Sequence, residues 1–245
     1  MRRMVLVGTG TDVGKTYVAG QLARLYRARG GACLGLKPIE SGVDPALRAT
    51  GELSGDAAAL SVAASGGAAP LYGFREPISP HLAARREQRA IDLEAVVAYV
   101  AAQEQNFLGR QEAVASDAAA TGSAARLPPL CLIESAGGLF SPISDELNNW
   151  DLARALAPDV MVLVAPDSLG VLHDIQATLR GIAPVVPQLL VMSEARPADA
   201  ATGTNLAEVE RVVLRQLGLM GKVPCVSCPQ GGAPPEHVFE LLGLD

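Results

Sequence analysis

Short apolar runs of strand length alternate along the chain with Ala- and Leu-rich segments of helical period. The runs that predict strands are MVLVG, ACLGL, LCLIE, VMVLVAP, LLVMS and GKVPCV. Nearly continuous apolar runs of this length are typical of parallel strands that are buried on both faces. The alternation therefore predicts an α/β fold with a mostly parallel central sheet that is flanked by helices on both faces.

The segment between the first two predicted strands shows how one strand connects to the next. In KTYVAGQLARLYRARG, Val18, Leu22 and Leu25 recur at helical spacing, and Gly30 or Gly31 follows as a helix stop. A strand, a helix and a strand therefore follow one another. In such a fold the ends of the strands at the carboxyl edge of the sheet are the usual place for a ligand.

Residues 103–129 interrupt the alternation. They show no clear period and are rich in Ala, Ser, Gly, Thr and Gln, so we expect a loop insertion there. The tail PQGGAPPEHVFELLGLD predicts a turn and a short closing helix. Nothing else marks a domain boundary, and residues 1–245 are predicted to form a single domain.

Composition narrows the choice of partners. Hydrophobic residues make up 49% of the chain, which suffices for a buried core, and the formal net charge is -6 without a basic block. That charge disfavours nucleic acid or an anionic membrane as a partner. Charged residues and prolines interrupt every apolar stretch before the roughly 20 residues that a membrane span needs. We therefore expect a cytoplasmic protein whose ligands are small molecules.

Two of the four cysteines, Cys225 and Cys228, form a CxxC pair within PCVSCP. The chain has no second CxxC and three histidines, so ordinary thiols in a loop explain the pair most simply. A redox pair or half of a zinc site is the alternative.

The motif GTGTDVGKT joins the first predicted strand to the first predicted helix. Gly8, Gly10 and Gly14 let successive backbone N–H groups face one anion, and the helix adds its positive N-terminal end. Lys15 then reaches the outer phosphates, and the Thr16 hydroxyl can bind Mg²⁺. A glycine turn capped by Thr16 would explain the glycines but not the adjacent Lys-Thr pair. The motif predicts a nucleotide site and a fold of the P-loop NTPase type.

Two acidic residues are candidates for the metal that accompanies such a nucleotide. Glu134 ends the predicted strand LCLIE, where P-loop proteins place a metal-binding carboxylate. Asp56 opens the Ala-rich segment LSGDAAAL, and this pattern by itself favours a helix cap. Thr16, Asp56, Glu134, two phosphate oxygens and one water would supply the roughly six oxygens that Mg²⁺ prefers.

A second lysine, Lys37, follows the second predicted strand within LGLKPIESG. It lies at the same rim as the phosphate-binding loop, where an ammonium group can neutralise charge on a transferring phosphoryl group. Ser41 of the same segment can hydrogen-bond an anionic substrate. A surface lysine and a turn serine are the alternative reading of this segment alone.

Four motifs, GTGTDVGKT, GLKPIESG, EPISPHLAA and IESAGGLFSPIS, resemble in order and spacing the dethiobiotin synthetase family. The resemblance covers nearly the whole chain outside residues 103–129 and the tail. The five residues between Gly8 and Gly14 match the family's own variant of the phosphate-binding loop.

The resemblance implies an ATP- and Mg²⁺-dependent cyclo-ligase of biotin biosynthesis. In the implied reaction, one amine of 7,8-diaminononanoate captures CO₂ as a carbamate, and ATP phosphorylates the carbamate. The other amine then closes a cyclic urea, and dethiobiotin, ADP and phosphate are released. The resemblance also implies a homodimer with the diamine bound across the interface.

The site residues implied by the resemblance fall into three groups. Catalytic roles fall to Lys37, Lys15, Thr11 and Ser41, and Asp56 becomes a metal ligand beside Thr16 and Glu134 instead of a cap. Nucleotide contacts are expected from Asp12, Val13, Gly14, Lys15, Thr16, Tyr17, Asp56, Glu134, Ser135, Ala136, Gly137, Ser193, Pro224, Cys225 and Val226. Substrate contacts are expected from Ser41, Gly137, Gly138, Val171 and His173.

This sequence departs from the family pattern at several positions. Ser193 stands where the family usually has the Asn that reads adenine, and His173 with Asp174 stands where Asn-His is usual. Gly10 replaces a common Asp, and Ser135 replaces a usual Gly. The exchange at Ser193 bears on nucleotide preference, and the exchange at His173 and Asp174 bears on diamine contact. In the phosphate-binding loop, the backbone contacts survive the exchange at Gly10, whereas a role of the side chain would not.

A partner-switching P-loop ATPase of the chromosome- or division-positioning kind is the principal alternative. Such proteins share the predicted fold but carry an extra signature lysine early in the phosphate-binding loop. Here that part of the loop is Gly8, Thr9 and Gly10, which favours the ligase.

Overall fold

Six parallel strands form the central sheet in the computed structural model, which describes residues 1–50, 52–118, 127–194 and 197–244. The described residues form eight strands in two sheets, namely β1 (Arg2–Gly8), β2 (Cys33–Leu36), β3 (Ile39–Ser41), β4 (Tyr72–Phe74), β5 (Leu130–Glu134), β6 (Val160–Pro166), β7 (Leu189–Ser193) and β8 (Cys225–Cys228). The strand order in the central sheet is β2-β5-β1-β6-β7-β8, and β3 pairs with β4 in a separate small sheet. The predicted parallel sheet is confirmed.

Helices cover both faces of this sheet. They are α1 (Lys15–Ala28), α2 (Pro45–Thr50), α3 (Gly55–Ala63), α4 (Pro80–Arg86), α5 (Leu93–Ala118), α6 (Asn149–Ala155), α7 (Val171–Ile182), α8 (Asn205–Glu208), a π-helical turn (Val209–Leu214), α9 (Arg215–Leu217) and α10 (Val238–Leu241). The predicted closing helix is α10. Within the described ranges, none of these helices has both the length and the apolarity to cross a bilayer.

The apolar side chains form one buried layer on each face of the sheet. Along β1, Met4 and Leu6 pack on the face that α1 and α3 cover, whereas Val5 and Val7 pack on the face of α5, α6 and α7. The alternation follows from the strand period of two residues. Burial on both faces explains why these strands read as continuous apolar runs in the sequence.

The strand register brings the functional segments to one edge. Leu6 pairs with Glu134, Gly8 with Val164, and Ser193 with Cys228. Because all six strands are parallel, the segments that follow β1, β2 and β5 leave the sheet at the same edge. The chain after β2 carries Lys37, so the sheet collects the sequence motifs that are far apart along the chain.

The prediction of a loop at residues 103–129 is wrong for residues 103–118, which belong to α5. Val96, Val100, Glu104 and Phe107 are buried at spacings of one or two turns, so the helix has a core-facing side. Ala, Gln and Glu are strong helix formers, and an interior glycine costs only about 1 kcal/mol. The prediction gave too much weight to the small polar residues. The part of the expected loop at 119–126 lies outside the described residues.

The placement of the CxxC pair in a loop is also wrong, because both cysteines lie in β8. Two strand residues three positions apart point to opposite faces, and Cys225 and Cys228 accordingly pack in different core layers. Burial raises the pKa of both thiols to about 12. All four cysteines are free, and the geometry supports neither a disulfide nor a shared metal within this pair.

Candidate active site

The phosphate-binding loop runs from the end of β1 to the start of α1. Gly14 occupies the N-cap position of α1, and the helix begins at Lys15. A side chain at Gly8 is excluded, since an added Cβ would lie 2.8 Å from Val13 Cγ2 and 3.0 Å from the Gly10 carbonyl oxygen. The backbone therefore folds closely over itself and directs the N-terminal end of α1 toward the cleft, as an anion site requires.

Lys15 is the first cation of the site and is buried. Its Nζ donates a hydrogen bond to the Gly10 carbonyl oxygen at 3.2 Å, so the side chain folds back over the loop. Burial lowers the pKa of Lys15 to about 8, and Glu134 opposes that effect while Lys37 adds to it. An anionic ligand would compensate this desolvated ammonium group.

Replacement of Lys15 by methionine is expected to stabilise the ligand-free protein. Below pH 8 the fold holds a buried ammonium group at a cost, and this cost declines as the pH rises toward the unfolded-state pKa of 10.5. We expect Lys15→Met to raise the free energy of unfolding by roughly 1–3 kcal/mol at pH 7 and by less at pH 10. Urea unfolding at both pH values measures this. The exposed Lys222→Met is the control, and a destabilised Lys15→Met protein would contradict the account.

Lys37, Glu134, Asp56 and Thr16 form one connected polar cluster at the floor of the site. Lys37 Nζ lies 3.1 Å from Glu134 Oε1 and is also hydrogen-bonded to Asp56 Oδ2. Thr16 Oγ1 donates to the same Glu134 oxygen at 2.7 Å. The cluster thus joins the start of α1 to the ends of β2 and β5 and to the first turn of α3.

The opposite charges of this cluster stabilise one another in a largely buried environment. Lys37 and Glu134 are buried, whereas the Asp56 side chain is 47% exposed to the cleft. Burial alone would lower the pKa of Lys37, but Glu134 and Asp56 outweigh it and raise the pKa above its usual value. Lys37 is therefore a permanent cation at neutral pH, and the reading of Lys37 as a surface residue is wrong.

The structure places Asp56 in the first turn of α3 but does not use it as a cap. Ser54 holds the N-cap position, and the Asp56 carboxylate bonds to Lys37 instead of to the helix backbone. The interpretation as a cap, drawn from the pattern alone, is therefore wrong. Asp56 faces the cluster that contains Glu134 and Thr16.

The oxygen atoms of this cluster fit Mg²⁺. Glu134 Oε2 is buried and accepts no hydrogen bond from any described residue, which leaves a carboxylate oxygen available to a cation. Two carboxylates and a hydroxyl are the hard ligands that Mg²⁺ prefers when phosphates and water complete its shell. The described residues contain no group of three or more His, Cys, Asp or Glu side chains arranged for a metal, so phosphate oxygens would be needed.

A cleft of about 580 Å³ opens over these groups. It gathers most of the predicted phosphate, metal and carbamate residues, namely Thr11, Asp12, Val13, Gly14, Lys15, Thr16, Tyr17, Lys37, Ser41, Asp56, Glu134, Ala136 and Gly137. The segment Pro77–Pro80 and Ser141 also line the cleft. The resemblance places Ser79 and Pro80 near the substrate with His81, whereas Pro77, Ile78 and Ser141 were not predicted. The signal for the segment Pro77–Pro80 was the motif EPISPHLAA, in which Ser79 Oγ lies 2.8 Å from His81 Nδ1, and the signal for Ser141 was the motif IESAGGLFSPIS.

Two serine hydroxyls near the cleft are buried without a hydrogen-bond partner from the described part of the chain. The Ser41 and Ser135 Oγ atoms are buried, and neither has a hydrogen-bond partner among the described residues. Ser41 ends β3 and lines the cleft, so a ligand oxygen would satisfy its hydroxyl. Gly138 differs, since its N–H already donates to Ser141 Oγ at 3.0 Å.

The residues predicted for the nucleotide base lie outside this cleft. Ser193 is buried at the carboxyl end of β7. Pro224 precedes β8 and Cys225 begins it, at the opposite edge of the sheet from the phosphate-binding loop, and Val226 is buried next in the strand. The segment that follows β8 is closer to the loop, because Tyr17 Oη lies 2.6 Å from the Pro229 carbonyl oxygen and 2.8 Å from that of Gly232.

The two predicted diamine contacts on α7 are not among the residues that line the cleft. Val171 is buried in the core layer on the face of the sheet that α5, α6 and α7 cover, and His173 is exposed in the first turn of α7. A role in substrate binding would require that the His173 surface meets another molecule.

Sequence reasoning missed Glu40, a buried carboxylate next to Ser41. Burial raises its pKa, and Lys37 opposes that effect. Its carboxylate accepts a hydrogen bond from the Asp56 backbone N–H at 2.6 Å. The available signal was an acidic residue that directly follows the apolar Pro38 and Ile39 in the segment KPIESG.

The parallel sheet, the glycine-rich loop before α1 and the Lys15-Thr16 pair define a P-loop nucleotide-binding protein. A family model described as an AAA domain matches residues 2–183. The ATP-dependent dethiobiotin synthetase of Anaeromyxobacter sp. strain Fw109-5 is 35% identical over 224 residues, which cover 88% of this chain and 87% of that protein. The protein of the same name from Methylobacterium nodulans is 32% identical over 252 residues, which cover 99% of each chain.

The chain belongs to the dethiobiotin synthetase family. This confirms both the resemblance drawn from the four motifs and the predicted enzyme class, an ATP-dependent carbon–nitrogen ligase.

Proposed function

We propose that this chain makes dethiobiotin from 7,8-diaminononanoate, CO₂ and ATP. The observation that carries the proposal is the position of Lys37, a buried cation that lines the same cleft as the phosphate-binding loop and Ser41. The ammonium group can contact a phosphate held by the loop and an anion held by Ser41 at the same time. A nucleotide switch without a second substrate has no need of that arrangement.

The proposed reaction balances in three steps. One amine of the diamine adds to CO₂, a C–N bond forms, and loss of a proton leaves a carbamate anion. A carbamate oxygen then attacks the γ-phosphorus of ATP, and ADP leaves. Finally the second amine attacks the carbamate carbon, a C–N bond forms and the attacking nitrogen loses a proton. The C–O bond to the phosphoryl group breaks, and phosphate leaves as the cyclic urea closes.

The described residues contribute mainly by positioning and charge. The loop N–H groups and Lys15 would hold the phosphates, while Lys37 would neutralise the negative charge shared by the carbamate and the γ-phosphate. Ser41 and Thr11 would orient the carbamate. Correct alignment of two bound reactants can supply about 7–11 kcal/mol of the barrier reduction, so a separate general base is not required beyond the neutral amine.

Thr16, Asp56 and Glu134 would hold Mg²⁺, with phosphate oxygens as further ligands. The bound ion would supply additional neutralisation of the β- and γ-phosphates. The buried and unpartnered Glu134 Oε2 supports this assignment. Asp56 reaches the same cluster from α3, so the two carboxylates come from different elements.

We further propose that the enzyme works as a homodimer with the diamine at the interface. The exposed position of His173 on α7 supports this, because the partner's His173 could then reach a diamine in the cleft of this protomer. The partner's Val171 would help to place that helix. Gly137 lines the cleft and would lie at its carbamate end. Its neighbour Gly138 would shape the turn, because its N–H already donates to Ser141 Oγ.

For the nucleotide base we propose the region at the carboxyl ends of β7 and β8. Ser193 lies at the end of β7, and the Tyr17 hydroxyl connects α1 to the segment after β8. Pro224, Cys225 and Val226 would act through the placement of β8, since the first two lie at its opposite end. We also propose that the enzyme is cytoplasmic and that it has neither nucleic acid nor a membrane as a partner.

Phosphate release from ATP is expected to depend on the diamine. We expect at least a tenfold increase in initial rate on addition of 7,8-diaminononanoate with bicarbonate and Mg²⁺, because the carbamate is the nucleophile that the site aligns. A coupled phosphate assay measures this, with 1,8-diaminooctane as the control, because its amines are too far apart to close a small ring. Turnover that ignores the diamine would favour the partner-switching ATPase.

A further inference from the structure

Glu40 connects two parts of the cluster that belong to different elements. It lies in β3, between the Lys37 segment and Ser41, and its side chain is buried. Its carboxylate accepts hydrogen bonds from the backbone N–H of Asp56 at 2.6 Å and of Ala57 at 3.4 Å. Those N–H groups are among the unpaired donors of the first turn of α3.

The carboxylate of Glu40 performs the capping that the N-cap residue itself does not. Ser54 holds the N-cap position but makes no side-chain cap hydrogen bond, and its Oγ has no partner among the residues that the structure describes. A buried carboxylate at a helix N-terminus is favoured by both hydrogen bonding and the helix dipole. The cap of α3 is therefore supplied from a residue 16 positions earlier in the chain.

Gly55 makes room for this contact. An added Cβ at Gly55 would lie 2.5 Å from Glu40 Oε1, and the residue has a φ of +56°. Both facts exclude an ordinary side chain at this position without movement of the Glu40 carboxylate. Glu40, Gly55 and the Asp56 N–H thus form one closely fitted unit.

We propose that Glu40 is a positioning residue, which fixes the first turn of α3 so that the Asp56 carboxylate faces Lys37 and Glu134. The proposal rests on the proposed role of Asp56 as a metal ligand. Glu40 itself contacts neither substrate nor metal in this account. It sets the distance between the segment that carries Lys37 and Ser41 and the helix that carries Asp56.

The first test uses the ligand-free protein, so it does not depend on any catalytic activity. We expect Glu40→Ala to increase the exchange rate of the Asp56 amide hydrogen by at least about tenfold, because a charge-assisted hydrogen bond is lost. Glu40→Gln keeps an acceptor oxygen and should stay within about threefold of the wild type. Ser54→Ala and the exposed Glu52→Ala are matched controls and should leave this amide unchanged. Equal exchange in Glu40→Ala and the wild type would overturn the proposal.

A double-mutant cycle tests the fit between Glu40 and Gly55. Gly55→Ala should be more destabilising in the wild type than in the Glu40→Ala background, where the clashing oxygen is absent. Urea unfolding of the two single variants and the double variant measures the difference. Additive effects would show that the two residues do not share a contact, which contradicts the structure.

The last test asks whether the contact serves the metal site and not only the fold. Mn²⁺ binding in the presence of a non-hydrolysable ATP analogue can be followed by electron paramagnetic resonance. We expect Glu40→Ala to weaken Mn²⁺ binding by about 10- to 100-fold, while analogue binding without metal stays within threefold of the wild type and Glu40→Gln recovers most of the loss. Unchanged Mn²⁺ affinity would reject the positioning role, even if the dethiobiotin reaction itself is confirmed. If the reaction fails but the amide and Mn²⁺ effects appear, the proposed function is wrong and Glu40 still positions Asp56.

Discussion

Lys37→Ala is expected to lower kcat by about 10²–10³-fold while nucleotide affinity stays within about threefold of the wild type. Lys37 lines the same cleft as the phosphate-binding loop and Ser41, and it would act on charge that develops during phosphoryl transfer. Lys15 and the loop N–H groups would still hold the ground-state phosphates. Steady-state kinetics and calorimetric titration of a non-hydrolysable ATP analogue separate the two effects.

The control for Lys37→Ala is Lys222→Ala, since Lys222 is exposed and is the third lysine of the chain. Loss of Lys37 leaves Glu134 buried without its cation, a change that costs about 3–5 kcal/mol in other proteins. The folded fraction must therefore be measured for each variant, and Lys37→Gln offers a polar replacement of similar length. Equal losses of analogue affinity and kcat in a folded variant would reassign Lys37 to nucleotide binding.

Glu134→Gln is expected to remove the effect of Mg²⁺ on the nucleotide complex. A bound ligand stabilises the folded protein, by about 2.7 kcal/mol when it is present at 100 times its dissociation constant. Mg²⁺ that tightens the binding of the ATP analogue therefore adds to the stability that the analogue provides. We expect the wild type to gain more stability from ATP analogue with Mg²⁺ than without, whereas Glu134→Gln should gain the same from both. Turnover should fall by at least about 10²-fold.

Thermal unfolding of the wild type and of Glu134→Gln, each with ATP analogue in the presence and in the absence of Mg²⁺, measures this prediction. The exposed Glu236→Gln is the control. Glutamine preserves the shape of Glu134 and can still accept the hydrogen bond from Thr16. A variant that is stabilised by Mg²⁺ as strongly as the wild type would show that Glu134 balances the charge of Lys37 and does not hold the ion.

The sequence predicted that the glycine loop, Lys15, Thr16, Lys37 and Glu134 come together, as they do in the cleft, because each of them has a local signal. The glycine loop, Lys15 and Thr16 follow one another in the chain, and Lys37 and Glu134 each end a strand whose apolar run is easy to recognise. A parallel sheet then brings all strand ends to one edge. These rules bring Lys37 and Glu134 to the same edge of the sheet, whereas the ion pair between them was not predicted.

Other parts depend on contacts that no local pattern reveals. Glu40 caps a helix that begins 15 residues later, so Asp56 looked like a cap when its own helix was considered alone. In α5, the helical propensity of Ala, Gln and Glu outweighed the small polar residues that suggested a loop. Cys225 and Cys228 looked like a pair until the strand period placed them on opposite faces.

The central claim is that a carbon atom from CO₂ ends in a cyclic urea at the expense of ATP. Incubation with ¹⁴C-bicarbonate, 7,8-diaminononanoate, Mg²⁺ and ATP, followed by acid treatment, tests it most directly, because acid expels CO₂ from a carbamate but not from a urea. We predict acid-stable label equal to the ADP formed, and none when the diamine is omitted. ADP formation without acid-stable label would contradict the account.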